Sequence, residues 1–198
     1  MLVLLTLLQL TASAADSTKH STLCWRARPA PRCQWFLVTE FGMGGSSRDA
    51  YSPRGDVAIG LMRNVGRRAA IGGAFLASGD ESHSRSGFIV RYRRWLDSRL
   101  AVEIGAGPIS FCEKQGPEGC GPARQSGVQV ETAIHLSGLV AATATFEHVG
   151  GRRLTWPTGE FAGELPTQNR TYLGMKVGAQ AAPIALVAIG VLVAATWN

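Results

Sequence analysis

Charge is what this sequence has least of. Only 17% of its 198 residues are Asp, Glu, Lys or Arg, against roughly 25% in soluble domains. With 45% hydrophobic residues, that scarcity excludes a disordered chain. No stretch repeats apolar residues at helical spacing, and 24 glycines with few Glu and Lys exclude a coiled coil. The net charge of +6 is spread along the chain, so no nucleic-acid footprint is read from it. Enzyme signatures are missing too: there is no G-x-S-x-G, H-E-x-x-H or P-loop. The four cysteines show neither C-x-x-C redox spacing nor a metal pattern. No cofactor and no metal are expected.

The two ends are unusual. Met1 to Leu10 is almost wholly apolar, and Ala12-Ser13-Ala14 is an A-x-A cleavage pattern. Residues 1–14 therefore read as a secretory signal peptide, although no basic residue precedes the apolar run. No Cys stands at the cleavage point, so a lipoprotein anchor is not expected. Residues 15–34 read as a periplasmic N-terminal segment. An even cysteine count in an exported chain suggests disulfides. Proximity favours Cys24–Cys33 and Cys112–Cys120. At the far end, residues 181–198 form an uncharged apolar tail containing Pro183. A short helix at the periplasmic face or alongside the barrel is preferred to a ninth strand or a spanning helix.

Between the ends lie eight runs of alternating polarity: Trp35–Gly44, Asp56–Asn64, Arg67–Ser78, Gly87–Trp95, Arg99–Phe111, Gly127–Leu136, Val140–Val149 and Arg170–Gln180. Most have the ~9–11 residues of a tilted membrane strand. Short links at Asn64-Val65-Gly66, Leu96-Asp97-Ser98 and Ser137-Gly138-Leu139 alternate with longer ones. That is the pattern of transmembrane barrels, with short turns at one end and loops at the other. Pro108 interrupts a strand and suggests a bulge. Alternation puts Leu37, Val57, Ile59, Ile71, Phe88, Val102, Ile104, Ile134 and Leu173 on one face. The other carries Glu40, Arg91, Arg93, Glu103, Glu131, His135, Glu147 and Lys176, with Gly72, Ala74, Gly105 and Gly107 leaving room. Phe41, Phe75, Phe88, Phe111, Phe146 and Tyr172 are expected in one aromatic girdle, Trp35 and Trp95 in the other.

Over 35–180 this pattern resembles the small bacterial outer-membrane β-barrel proteins. The implied fold is all-β, an eight-stranded antiparallel up-and-down transmembrane barrel. The implied location is the bacterial outer membrane, with membrane lipid, lipopolysaccharide and the barrel assembly machinery as partners. The expected role is structural, or binding of an extracellular ligand through loops 45–55, 112–126 and 150–169, over a charge-plugged lumen. A weaker resemblance is to lipid A 3-O-deacylase and acyloxyacyl hydrolase barrels, which carry His-x-Ser-Asn at the end of the penultimate strand. Here His148-Val149-Gly150-Gly151 stands in that place, with Glu160 and Glu164 as candidate orienting acids. Gly150 replaces the nucleophilic Ser, so a hydrolase is an alternative and not the first expectation. A soluble lipocalin-like carrier is the other.

The turns also imply a register. A three-residue link at Leu96-Asp97-Ser98 sets Trp95 opposite Arg99, Arg93 opposite Ala101 and Arg91 opposite Glu103, the last as a directly opposed ion pair. By the same face assignment, Ala101→Lys should enter a polar lumen and be tolerated better than Val102→Lys.

Overall fold

The computed structural model describes residues 21–24, 27–29, 33–46, 53–114, 120–137, 139–155 and 161–178. The expected signal peptide at 1–14, the tail at 181–198 and Glu160 lie outside the described residues. Among the described residues there are eleven strands: β1 (Ser21–Cys24), β2 (Cys33–Ser46), β3 (Pro53–Asn64), β4 (Ala69–Gly79), β5 (His83–Trp95), β6 (Leu100–Lys114), β7 (Cys120–Leu136), β8 (Val140–Val149), β9 (Arg152–Thr155), β10 (Phe161–Leu165) and β11 (Gln168–Gly178). Strands β2 to β8 and β11 pair in sequence, and β2 also pairs with β11. The sheet is thus a closed barrel of eight antiparallel strands, as expected, with no helix among the described residues.

Alternation along the strands decides which side chains enter the barrel. One paired row runs Phe36, Met62, Gly72, Arg91, Gly105, Glu131, Thr145, Tyr172 and returns to β2 at Ser46, ten residues from its start. A shear of that size on eight strands tilts them by roughly 40–45°. The outward side is apolar on every barrel strand. Met43, Ile59, Phe75, Phe88, Ile104, Ile134, Phe146 and Leu173 are all exposed.

Two turns lie later in the chain than the sequence reading places them, the β3–β4 turn by two residues and the β5–β6 turn by one. Val65 N donates to Ala69 O (2.9 Å) and Leu96 N to Leu100 O (2.9 Å), so the three-residue turns are Gly66–Arg68 and Asp97–Arg99. Asp97 takes the first turn position because its carboxylate accepts the backbone N–H groups of Arg99 (2.6 Å) and Leu100 (2.7 Å), an arrangement that Leu96 cannot make. Those two N–H groups hold the Asp97 carboxyl below its usual range. Arg93 therefore stands opposite Glu103, and Arg91 opposite Gly105. The turn at Ser137–Leu139 does sit where the spacing placed it, with Leu136 opposite Val140.

Three further expectations change. No bulge occurs at Pro108, because the β6–β7 ladder runs through Pro108 opposite Val128 without a shift. Towards β5 the ladder lapses at Phe88 and Ile89 but keeps its register on either side, as a residue without an N–H allows. Phe111, Tyr172 and Trp95 leave the expected girdles, since all three are buried inside the barrel. The loops are also shorter than the sequence suggested, as β6 and β7 extend to Lys114 and from Cys120, and 150–169 contains the β9–β10 hairpin. Both expected disulfides are present, Cys24–Cys33 and Cys112–Cys120.

Candidate functional site: the lumenal charges and the His148 edge

The barrel interior is divided. Phe36, Val38, Ala58, Met62, Ala70, Ala74, Leu76, Ile89, Trp95 and Ala101 form one apolar cluster on the β2–β6 wall. Ile109, Phe111 and Val149 form a second, smaller one, and the buried charged side chains form two groups. Nearer the short turns are Glu40, Arg91, Arg93, Glu103, Glu131, His135 and Lys176, all buried. Arg91 Nη1 donates to Glu40 Oε2 (2.6 Å) and lies 3.2 Å from Glu103 Oε1. Arg93 Nε donates to Glu103 Oε2 (2.7 Å), and Lys176 Nζ to Glu131 Oε2 (2.5 Å). The expected Arg91–Glu103 contact thus exists as a diagonal one, while Arg93–Glu103 is the directly opposed pair. Three carboxylates meet three bases here, the condition under which buried charge is tolerable.

Glu147 belongs to a second group, nearer the loops, that the sequence reading missed. It is fully buried between Arg54, which pairs with its Oε1, and Arg85, whose Nε donates to its Oε2 (2.9 Å). Arg85 Nη2 also donates to Tyr172 Oη (2.7 Å) and Asp80 Oδ2 (2.9 Å). Arg54 and Arg85 flank the Tyr172 ring at 4.6 and 5.4 Å. The sequence reading placed Arg54 in a loop and began the run that forms β5 only at Gly87, which left Arg85 outside it. The cue available was the alternation Arg54-x-Asp56 and Arg85-x-Gly87, which continues each strand's inward face. Asp80 closes the β4–β5 turn by accepting N–H groups from Ser82 (3.0 Å) and His83 (2.7 Å). Burial raises its carboxyl, but Arg85 and His83 outweigh that and hold it below its usual range.

Among the small residues, Gly105 makes room for charge. A Cβ there would lie 3.1 Å from Arg91 Cγ and 2.8 Å from Ile89. Ala74, in contrast, packs in the apolar cluster.

Glu40, Glu103 and His135 bring three donor atoms within 4.8 Å of one another. The set does not suit a cation. Arg91 and Arg93 already pair with both carboxylates, and Arg93 Nη2 is 3.2 Å from His135 Nε2.

The outward face carries the remaining candidates. His148 is exposed beside the loop end, with its Nδ1 2.7 Å from Asn169 Oδ1. The partner set against it is Asn169, directly opposite on β11, and not Glu164. Glu164 is exposed on the β9–β10 hairpin, opposite Arg153. With Asn169 Oδ1 as the acceptor, this contact is a hydrogen bond in the tautomer that carries its proton on Nδ1.

No protein-family model and no curated protein matches this chain. The barrel is similar to a solved chain described as "De novo design of transmembrane beta-barrels". Identity is 10%, over 78% of this chain and 99% of that one, with a TM-score of 0.36.

Proposed function

We propose that this chain is an outer-membrane barrel that crosses the bilayer on eight strands, with its lumen closed by paired charges. Its role is structural, or lies in binding at the loop end. The observation that carries this reading is the belt of exposed apolar side chains. It includes at least one large residue on each barrel strand and far exceeds the apolar patch of a soluble monomer. Strands of 10 to 17 residues, tilted as described, suit a bilayer. A lipocalin-like carrier needs the reverse, a polar exterior around an apolar cavity. In this reading the belt meets membrane lipid and lipopolysaccharide, insertion uses the barrel assembly machinery, and the segments 45–55, 112–126 and 150–169 present the ligand-binding edges. Cell fractionation tests it. The chain should pellet with outer membranes and come out only with detergent, and recovery as a detergent-free monomer would sink the reading.

The hydrolase alternative has an observation of its own. Gly150 N donates to Ser126 O (3.0 Å), which sets Ser126 one diagonal step from His148 on the same outward face, roughly 7–8 Å away. Ser126, His148 and Asn169 then supply a hydroxyl, a base and an orienting amide on three successive strands. Acyl release from lipopolysaccharide by the refolded protein, lost in both Ser126→Ala and His148→Ala, is the expected signature. Release that survives either change excludes this site.

A further inference from the structure

The arginines that look scattered in sequence are brought together by the two short turns. Arg67 and Arg68 stand in the β3–β4 turn and Arg99 in the β5–β6 turn, with Arg63 and Arg94 on the adjoining outward strand ends, and all five are exposed. The turns touch, since Trp95 N donates to Arg68 O (2.9 Å) and Ala69 pairs with Arg94. Exposed Arg28 joins them, its carbonyl held by Asn64 Nδ2 (2.8 Å). The one carboxylate among the described residues of this arc is Asp97, and it is taken up by backbone N–H groups. The opposite rim is mixed in sign: Asp80, Glu81, Glu113 and Glu164 stand with Lys114, Arg124, Arg152, Arg153 and Arg170 among the described residues.

The arc is also apolar. Val65 and Leu96 are exposed at the turns, between the arginines. The Arg63 guanidinium lies 5.4 Å over the outward ring of Trp35. Cations interleaved with exposed aliphatic groups and an aromatic ring suit the boundary between hydrocarbon and headgroup. At that depth the available anion is the lipid phosphate, and the planar guanidinium matches phosphate oxygens two at a time.

We propose that this arginine arc binds the phosphates of anionic phospholipid and so holds the short-turn end of the barrel at the headgroup level of an anionic leaflet. The proposal rests on the transmembrane reading. Once that reading is granted, the sign of the arc and its apolar flanks point to lipid rather than to an acidic protein.

The test uses the full mature chain refolded into vesicles of phosphatidylcholine. Spin-labelled phosphatidylglycerol and spin-labelled phosphatidylcholine are compared for association with the protein. The glycerol lipid should be favoured by about fivefold for each engaged arginine. Added salt should reduce the preference. Arg67→Gln with Arg68→Gln and Arg99→Gln should bring it towards unity, while Arg124→Gln at the other rim leaves it unchanged. Lysine at the same three positions retains charge and should keep part of the preference. Insertion with equal association of both lipids in the wild type overturns the arc alone, as does a preference untouched by the triple substitution. Failure to insert into any vesicle overturns the transmembrane reading and the arc with it.

Discussion

At the residue scale, the lumen holds its charges because each has a partner, and removing one partner leaves the other stranded. Arg93 and Glu103 are directly opposed, 2.6 Å apart at their closest, and both are buried. Arg93→Met or Glu103→Gln should each cost about 3 kcal/mol, and the double variant less than their sum, because no unpaired charge remains. Refolding midpoints of the four species in detergent give the coupling, and a value of zero would mean that the pair does not act as a unit. Glu147→Gln should be less costly than Glu103→Gln, because Arg54 keeps Asp56 and Arg85 keeps Asp80 when the carboxylate bridging them is lost. Asp80 links a residue to pH. Its carboxyl is held below the usual range by Arg85 and His83, so its contribution is fully present above the ordinary Asp pKa. It is lost as pH falls through the lowered folded value. Hydrogen exchange at the His83 amide should therefore quicken, beyond the intrinsic trend, on acidification below about pH 4. In Asp80→Asn that added pH dependence should be absent, and its persistence would assign the effect elsewhere.

At the element scale, alternation is enough to assign the inward and outward faces but not the register. The sets headed by Ile59, Ile104 and Leu173 face outward and those headed by Glu40 and Glu131 face inward, as the period-2 pattern requires. That much was legible because a wrong face would bury a whole row of misplaced side chains. Register depends on which residue opens a three-residue turn. Leu96 and Asp97 satisfy the face pattern equally well, and the choice falls on the one whose side chain can accept backbone N–H groups. The loop-end charges were hidden for a related reason. Arg54 and Arg85 sit near Gly and Ser, which read as loop, but neighbouring strands draw them into the ladder opposite Gly44 and Phe111. The division of the lumen corrects one expectation directly. Ala101 is fully buried in the apolar cluster opposite Trp95, so Ala101→Lys is now expected to be strongly destabilising and no longer a tolerated control. Ile104→Lys isolates the outward face. In a bilayer it should cost ~2–4 kcal/mol, read as a lower urea midpoint in lipid vesicles. A neutral effect would place that face in water.

At the scale of the whole molecule, the barrel closes on its weakest side. β11 runs beside β2 only from Glu40 to Ser46. Below that point β2 is flanked by β1, which pairs with it in parallel through Ser21 opposite Cys33, Leu23 opposite Trp35 and Cys24 opposite Phe36. A strand this short has few hydrogen bonds of its own, and the Cys24–Cys33 disulfide ties it to the strand it flanks. The following segment turns inward. Ala27 is buried in the apolar cluster, and Asn64 Nδ2 donates to both Arg28 O and Cys33 O at 2.8 Å. Asn64 Oδ1 in turn accepts from Trp95 Nε1 at 3.4 Å. The N-terminal strand, the disulfide and the Asn64–Trp95 link thus close the short-turn mouth together. The cavity of about 20 Å³ at this seam, lined by Ala27, Glu40, Arg93, His135 and Lys176, has room for about one water. It marks where the apolar wall meets the charges. Replacing Cys24 and Cys33 together by Ala should lower stability by about 2–3 kcal/mol on the chain-entropy estimate for so short a loop. The loss should be local in its kinetics. Amides from Trp35 to Thr39 should exchange faster, while those of β6 and β7, paired to each other over nearly their whole length, should keep their protection. A uniform loss of protection around the barrel would mean that β1 stabilises the fold as a whole and is not a separate closure of the seam.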